Sequence, residues 1–152
     1  MVDLKEFEQK AADLRVLGMK ISIGQDTVYE KYWDEDCRRN IYSASKSFTS
    51  CAVGFAVQEG LIDLDERLMD AFKEDIPNNP DENLKKATVK DLLTMTLGQE
   101  KGFLMGKQRP RMEEQNWVKA SLAIPFVYEP GTHFVYNNVG PYLAGILVQR
   151  RA

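Results

Sequence analysis

Ser43-Ala44-Ser45-Lys46 sets a hydroxyl and a primary amine three positions apart, a spacing that puts both side chains on one face of a helix. A serine hydroxyl is a weak nucleophile at neutral pH and needs a positioned base. Lysine can fill that role where burial lowers its pKa. The next stretch, Ser47 to Gln58, has no charged residue and is apolar on every side, which predicts a central helix buried inside a domain. That helix is expected to supply the burial, and its first-turn amides to stabilise nearby negative charge. S-x-x-K alone is a weak signal, since a capping serine followed by a solvated lysine reads the same way. Tyr136-Asn137-Asn138 adds a second group: it matches Y-x-N, follows the turn EPGT and precedes an amphipathic segment. A phenol and an amide are thus offered from a loop, and a phenol beside an ammonium is drawn towards phenolate and can act as a base.

The elements that must position these residues follow from periodicity. Leu4, Phe7, Ala11 and Leu14 recur at helical spacing, predicting an opening amphipathic helix that ends at Leu17 and Gly18. Met19 to Ile23 and Thr27 to Trp33 are rich in β-formers around Gly24-Gln25-Asp26 and read as a hairpin. After Gly60 the polar stretch DIPNNPDEN reads as a surface loop, and Thr88 with Asp91 as a capping box opening a short helix that ends by Gly98. QEKGFLMGKQRPR is an irregular excursion before a helix around Glu113 to Leu122. His133 to Tyr136 looks extended, and Val139, Tyr142, Leu143, Ile146 and Leu147 mark a last amphipathic helix.

Composition narrows the partners. Twenty Lys and Arg against 23 Asp and Glu give a net charge of −3, with the basic residues scattered, so no stripe suits a phosphate backbone and nucleic acid is excluded as the expected partner. No apolar run approaches the roughly 20 residues of a membrane span, and the start MVDLKEFEQK carries no secretory stretch. The chain as written is expected in the cytoplasm, or in the periplasm or outside the cell if a signal has been removed. Cys37 and Cys51 lack metal-site spacing and are expected as free thiols, Cys51 packed in the apolar helix. His133, the only histidine, is expected to pack rather than to serve a Ser-His-Asp triad. Asp63, Asp65 and Glu66 read as a solvated turn rather than a metal loop. No metal or cofactor is expected.

With these blocks in order, the chain resembles the serine β-lactamase-related group: class C β-lactamases, penicillin-binding proteins and family VIII esterases. YSASKSFTSCAVGFAVQEGLIDLDERL resembles the nucleophile helix of that group, TVKDLLTMTLG the stretch leading to its T-S-G, and EPGTHFVYNNVGPYLAGILVQ its Y-x-N region. In class A β-lactamases and penicillin-binding proteins S-x-x-K is accompanied by S-D-N and K-T-G; here Y-x-N stands in place of S-D-N. The resemblance implies an α+β fold, a mostly helical fragment with an N-terminal helix and hairpin. It makes residues 1–152 the amino-terminal part of one β-lactamase/transpeptidase-like catalytic domain whose carboxy-terminal strands and helix are absent. It further implies acyl transfer through a Ser43 acyl-enzyme on a lactam, peptide or ester, with Lys46 and Tyr136 moving protons and Asn138 contacting the small-molecule or peptide substrate. The alternative is a non-catalytic penicillin-sensing or structural fragment.

Two departures stand out. Leu97 occupies the place of the T-S-G serine, and no K-T-G follows Asn138. The resemblance implies that K-T-G brings a second oxyanion-hole amide, and loss of one such donor costs about a hundred- to a thousandfold in rate. The chain by itself is therefore expected to be poorly active and to self-associate through an unpaired sheet edge.

Overall fold

A computed structural model describes residues 3–35 and 37–152. The chain divides into two units, Met1–Ile41 and Tyr42–Ala152.

In the first unit α1 spans Lys5–Asp13, with Glu6 and Glu8 in its first turn and Lys10 in its last. This arrangement opposes the helix dipole with the right sign at both ends. The helix stops earlier than Leu17: Arg15 takes a left-handed φ of 55°, and the Val16 amide donates to the Ala11 carbonyl, closing the turn. Strands β1 (Gly18–Ile23) and β2 (Asp26–Tyr32) pair antiparallel around the predicted turn, with an irregularity between Ile21 and Ser22. Helix α1 lies against this hairpin. Phe7 meets the edge of Trp33 at 6.0 Å, Ala11 is buried, and the Glu8 carboxylate accepts from the Tyr29 hydroxyl at 2.9 Å and from the Lys31 ammonium.

The second unit begins with a 3-10 turn, Tyr42–Ser45, that runs into α2 (Lys46–Gln58). Then come α3 (Leu68–Ala71), α4 (Glu82–Lys86), α5 (Val89–Thr94), a 3-10 turn at Arg109–Arg111, α6 (Trp117–Leu122) and α7 (Val139–Arg151). Helices α2 and α5 both pack on α7, whose Val139, Leu143, Ala144 and Leu147 are buried at the predicted helical spacing. Leu97 is buried with them, so the residue in the serine's place serves packing. At the α5–α7 crossing the backbones nearly touch, and a Cβ on Gly140 would lie 2.2 Å from the Leu92 carbonyl oxygen.

Several expectations need correction. Helix α2 is not enclosed: only Val53 and Ala56 are buried on it, while Phe48 and Phe55 are 70% and 66% exposed and Cys51 is exposed rather than packed. Its sequence is apolar all round, but its contacts lie on the α7 side. The stretch from Asp75 is more than a surface loop, because Asp75 is buried against Arg150 and Asn116. Glu66 is not solvated: it holds Arg151 through two contacts of 2.6 Å, joining the segment after α2 to the end of α7 with bidentate geometry. Helix α6 begins at Trp117, four residues later than Glu113, because the Asn116 side chain accepts from the Val118 and Lys119 amides and fixes the N-cap there. The capping box of α5 is present, with the Thr88 amide and hydroxyl both donating to Asp91 Oδ2 at 2.9 Å. That helix ends at Thr94, where Met95 turns left-handed, rather than at Gly98. His133 to Tyr136 forms no strand.

Candidate active site

The chain enters the site through Tyr42, whose φ of 45° is unusual for a residue with a side chain. The bend throws Ser43 into the 3-10 turn, where it is exposed, and makes Lys46 the first residue of α2. Lys46 Nζ donates to Ser43 Oγ at 3.0 Å. Ser45, the other serine of the turn, is committed to the Tyr42 carbonyl at 2.7 Å. Of the two serines, Ser43 is thus the one facing the amine.

Tyr136 arrives from the far end of the sequence. The Lys46 ammonium lies 5.2 Å from the centre of its ring, and hydrogen bonding to Ser43 first and Lys46 second holds its phenol below the ordinary tyrosine range. Donors facing a phenol oxygen favour its charged form, which gives the shift its sign. The segment carrying Tyr136 is fixed on both sides. The Val135 amide donates to the Met95 carbonyl at 3.0 Å, and the buried Asn137 accepts from the Gly140 amide at 3.1 Å. Asn138, expected at the substrate, also serves as a strap: its backbone amide donates to Phe103 O at 3.2 Å and its side-chain amide to Leu104 O at 2.9 Å. The excursion from 102 to 112 is thereby tied to the loop bearing Tyr136. It passes so closely that a Cβ on Gly102 would lie 2.7 Å from the Tyr136 carbonyl oxygen.

Beside Ser43 is an open cavity of about 340 Å³, walled by Lys46, Arg109, Trp117, Asn138 and Tyr142 among others. Trp117 and Tyr142 stand 6.1 Å apart and tilted. Burial pushes the Tyr142 phenol up, with Arg150 opposing and Asp75 adding to the shift. The phenols of Tyr136 and Tyr142 are therefore moved in opposite directions, one towards an acceptor and one towards a retained donor.

His133 is elsewhere in its bonding: its ring stacks on Tyr128 at 4.2 Å and its Nδ1 shares a hydrogen bond with Thr132 at 2.8 Å. Sequence reasoning missed Arg109, Trp117 and Tyr142 as walls of the site. Trp117 was hidden by placing the helix start at Glu113, and the excursion offered no periodicity to orient Arg109.

The family model Beta-lactamase matches residues 5–152. No curated protein matches the chain. Among solved structures, a class C β-lactamase superposes with a TM-score of 0.71 at 18% identity, over 95% of this chain and 42% of that one. The octameric penicillin-binding protein homologue from Pyrococcus abyssi gives 0.67 at 24% identity, over 97% and 39%. Simvastatin synthase from Aspergillus terreus gives 0.58 at 22%, over 96% and 44%. At these identities the likeness is one of fold, and the chain spans less than half the length of each.

Proposed function

The chain belongs to the β-lactamase family, and from that premise we propose that it carries the nucleophile, Ser43, of a serine hydrolase acting by acyl transfer. The observation that carries this reading is the 3.0 Å contact from Lys46 Nζ to Ser43 Oγ beside a phenol drawn to lower pKa. The Ser43 oxygen attacks the carbonyl carbon of a lactam, peptide or ester. Its proton passes to Tyr136 as phenolate, while Lys46 holds both oxygens in place. The acyl C–N or C–O bond then breaks, and the leaving atom takes the proton back. Water attacks the resulting Ser43 ester and releases the acid. Asn138 keeps an amide hydrogen and its carbonyl oxygen for the substrate beyond the strap to Leu104.

The shift on Tyr136 gives the pH dependence a sign. Phenolate is the competent form, so the acylation rate should rise with pH and level off above the phenol's lowered pKa, short of the range of free tyrosine. Tyr136→Phe should remove that rising limb and slow acylation by about a hundredfold. A rate profile unchanged in Tyr136→Phe would assign the proton transfer to another group.

Two chromogenic substrates, a cephalosporin and a short-chain nitrophenyl ester, test the reading as a whole. Sustained turnover of either supports hydrolysis. A single stoichiometric burst indicates a chain that acylates without turning over, as a penicillin sensor does. Silence with both contradicts the acyl-transfer reading.

A further inference from the structure

We infer that the buried Asp75 is a positioning residue for the cavity beside Ser43: it holds α6 to α7 so that Trp117 stands against Tyr142, and thereby sets the fit of flat, apolar groups there. The inference rests on the acyl-transfer reading for its place in a reaction, but the positioning and the binding it controls do not need that reading.

Asp75 follows α3, where its amide donates to Phe72 O at 2.8 Å, and its side chain is only 4% exposed. A carboxylate out of water is costly unless each oxygen is matched. The two oxygens of Asp75 are matched by different helices. Oδ1 accepts from Asn116 Nδ2 and Oδ2 from Arg150 Nη1, both at 2.8 Å. Asn116 is the N-cap of α6, and its own Oδ1 accepts from the Val118 and Lys119 amides at 3.0 and 3.2 Å. The amide of Asn116 therefore cannot flip without losing the cap, and Trp117 is the next residue. Arg150 lies on α7 eight residues after Tyr142, a little over two turns, and its guanidinium is held over the Phe72 ring at 5.6 Å.

One carboxylate thus ties the residue before Trp117 to the helix that carries Tyr142. Those two rings stand 6.1 Å apart and tilted, and both line the cavity with Leu104, whereas Asp75 does not. Burial acts first on the Tyr142 phenol, but the charges of Arg150 and Asp75 also reach it, which puts the ion pair close behind the wall. A buried ion pair adds little net stability over an apolar replacement. What this one supplies is a fixed spacing between the two rings.

Asp75→Asn keeps the size of the side chain but turns one oxygen into a donor. Arg150 and the fixed Asn116 amide both donate, so one of the two links must break. The probes are phenylacetamide and acetamide, which differ by the ring, titrated against the whole chain and followed by the indole N–H resonance of Trp117. Of the two tryptophans, the resonance that persists in Trp33→Phe is that of Trp117. The wild type is expected to bind phenylacetamide about tenfold more tightly than acetamide. Asp75→Asn should move the Trp117 resonance of the free chain and cut the preference to about twofold or less. Arg150→Gln, which keeps the bond from Asn116 and alters a side chain 42% exposed, should reduce the preference by an intermediate amount and decides the matter if Asp75→Asn does not fold. Glu66→Gln is the control, since it weakens another ion pair of α7, with Arg151, and should leave the preference intact. No preference in the wild type, a preference unchanged in the folded Asp75 or Arg150 variant, or an equal loss in Glu66→Gln overturns the inference. Labelling of the wild-type chain with a fluorophosphonate, run in parallel, keeps the two claims apart. Labelled Ser43 with a preference independent of Asp75 rejects the positioning alone, whereas an Asp75-dependent preference without labelling rejects the nucleophile and leaves the positioning standing.

Discussion

Lys46→Met should slow acylation of Ser43 by about a hundred- to ten-thousandfold while leaving the fold intact. Lys46 sits at the start of α2, partly exposed, and its side chain makes no contribution to the buried core. Its polar interactions are with Ser43 and the ring and phenol of Tyr136. Methionine keeps the length of the side chain and removes the donor, so the serine loses its orientation and the phenolate loses the ammonium that favours it. Because the three groups act as one unit, the double variant Lys46→Met with Tyr136→Phe should be little worse than Lys46→Met alone. Additive losses would mean that the two residues work independently. Stopped-flow acylation by a chromogenic cephalosporin, or by the nitrophenyl ester if the lactam is not accepted, separates these outcomes.

Gly140→Ala should destabilise the protein by about 3 kcal/mol, the upper part of the range for overpacking, and lower the melting temperature by roughly 6 to 12 °C at this chain length. The added Cβ would lie 2.2 Å from Leu92 O and 3.3 Å from Leu92 Cα. These are backbone atoms of α5 and cannot swing aside as a side-chain tip could. Helix α7 would have to retreat, taking with it Asn137, which accepts the Gly140 amide, and through it the loop of Tyr136. The convergence of Ser43, Lys46 and Tyr136 should therefore loosen along with the core. Gly54 provides the control: it also lies within a helix, but nothing stands within 4 Å of its Cβ position. Gly54→Ala should stabilise by about 1 kcal/mol, the helix-propensity difference. Thermal unfolding of the two variants should move in opposite directions, and a harmless Gly140→Ala would show that the α5–α7 crossing is not as close as described.

Local signals carried much of the fold. β-former content on either side of a turn located β1 and β2, and period-3.6 spacing located α1 and α7, each to within a few residues, because these signals lie within the element itself. Thr88 and Asp91 were legible as a cap because both partners lie within one turn. Ser43, Lys46 and Tyr136 were found as motifs, and their convergence is a tertiary fact that the spacing within each motif could not contain. What escaped detection depends on which face meets which. Helix α2 is apolar around its circumference, so nothing in its pattern distinguished the side packed on α7 from the side left exposed at Phe48 and Phe55. The Glu66–Arg151 pair and the Asn138–Leu104 strap join residues 85 and 34 positions apart, and neither partner is marked as special in sequence. Asn116 is visible as a residue type, but its role as a cap is masked by the two preceding glutamates, which are good helix formers.

The central claim is that Ser43 is the nucleophile, and labelling with a fluorophosphonate followed by peptide mapping tests it most directly. One adduct on the peptide carrying Ser43, absent from Ser43→Ala and retained in Ser45→Ala, is the predicted result, since the Ser45 hydroxyl is bound to the Tyr42 carbonyl. An adduct on Ser45 or Ser47, or one that persists in Ser43→Ala, would contradict it.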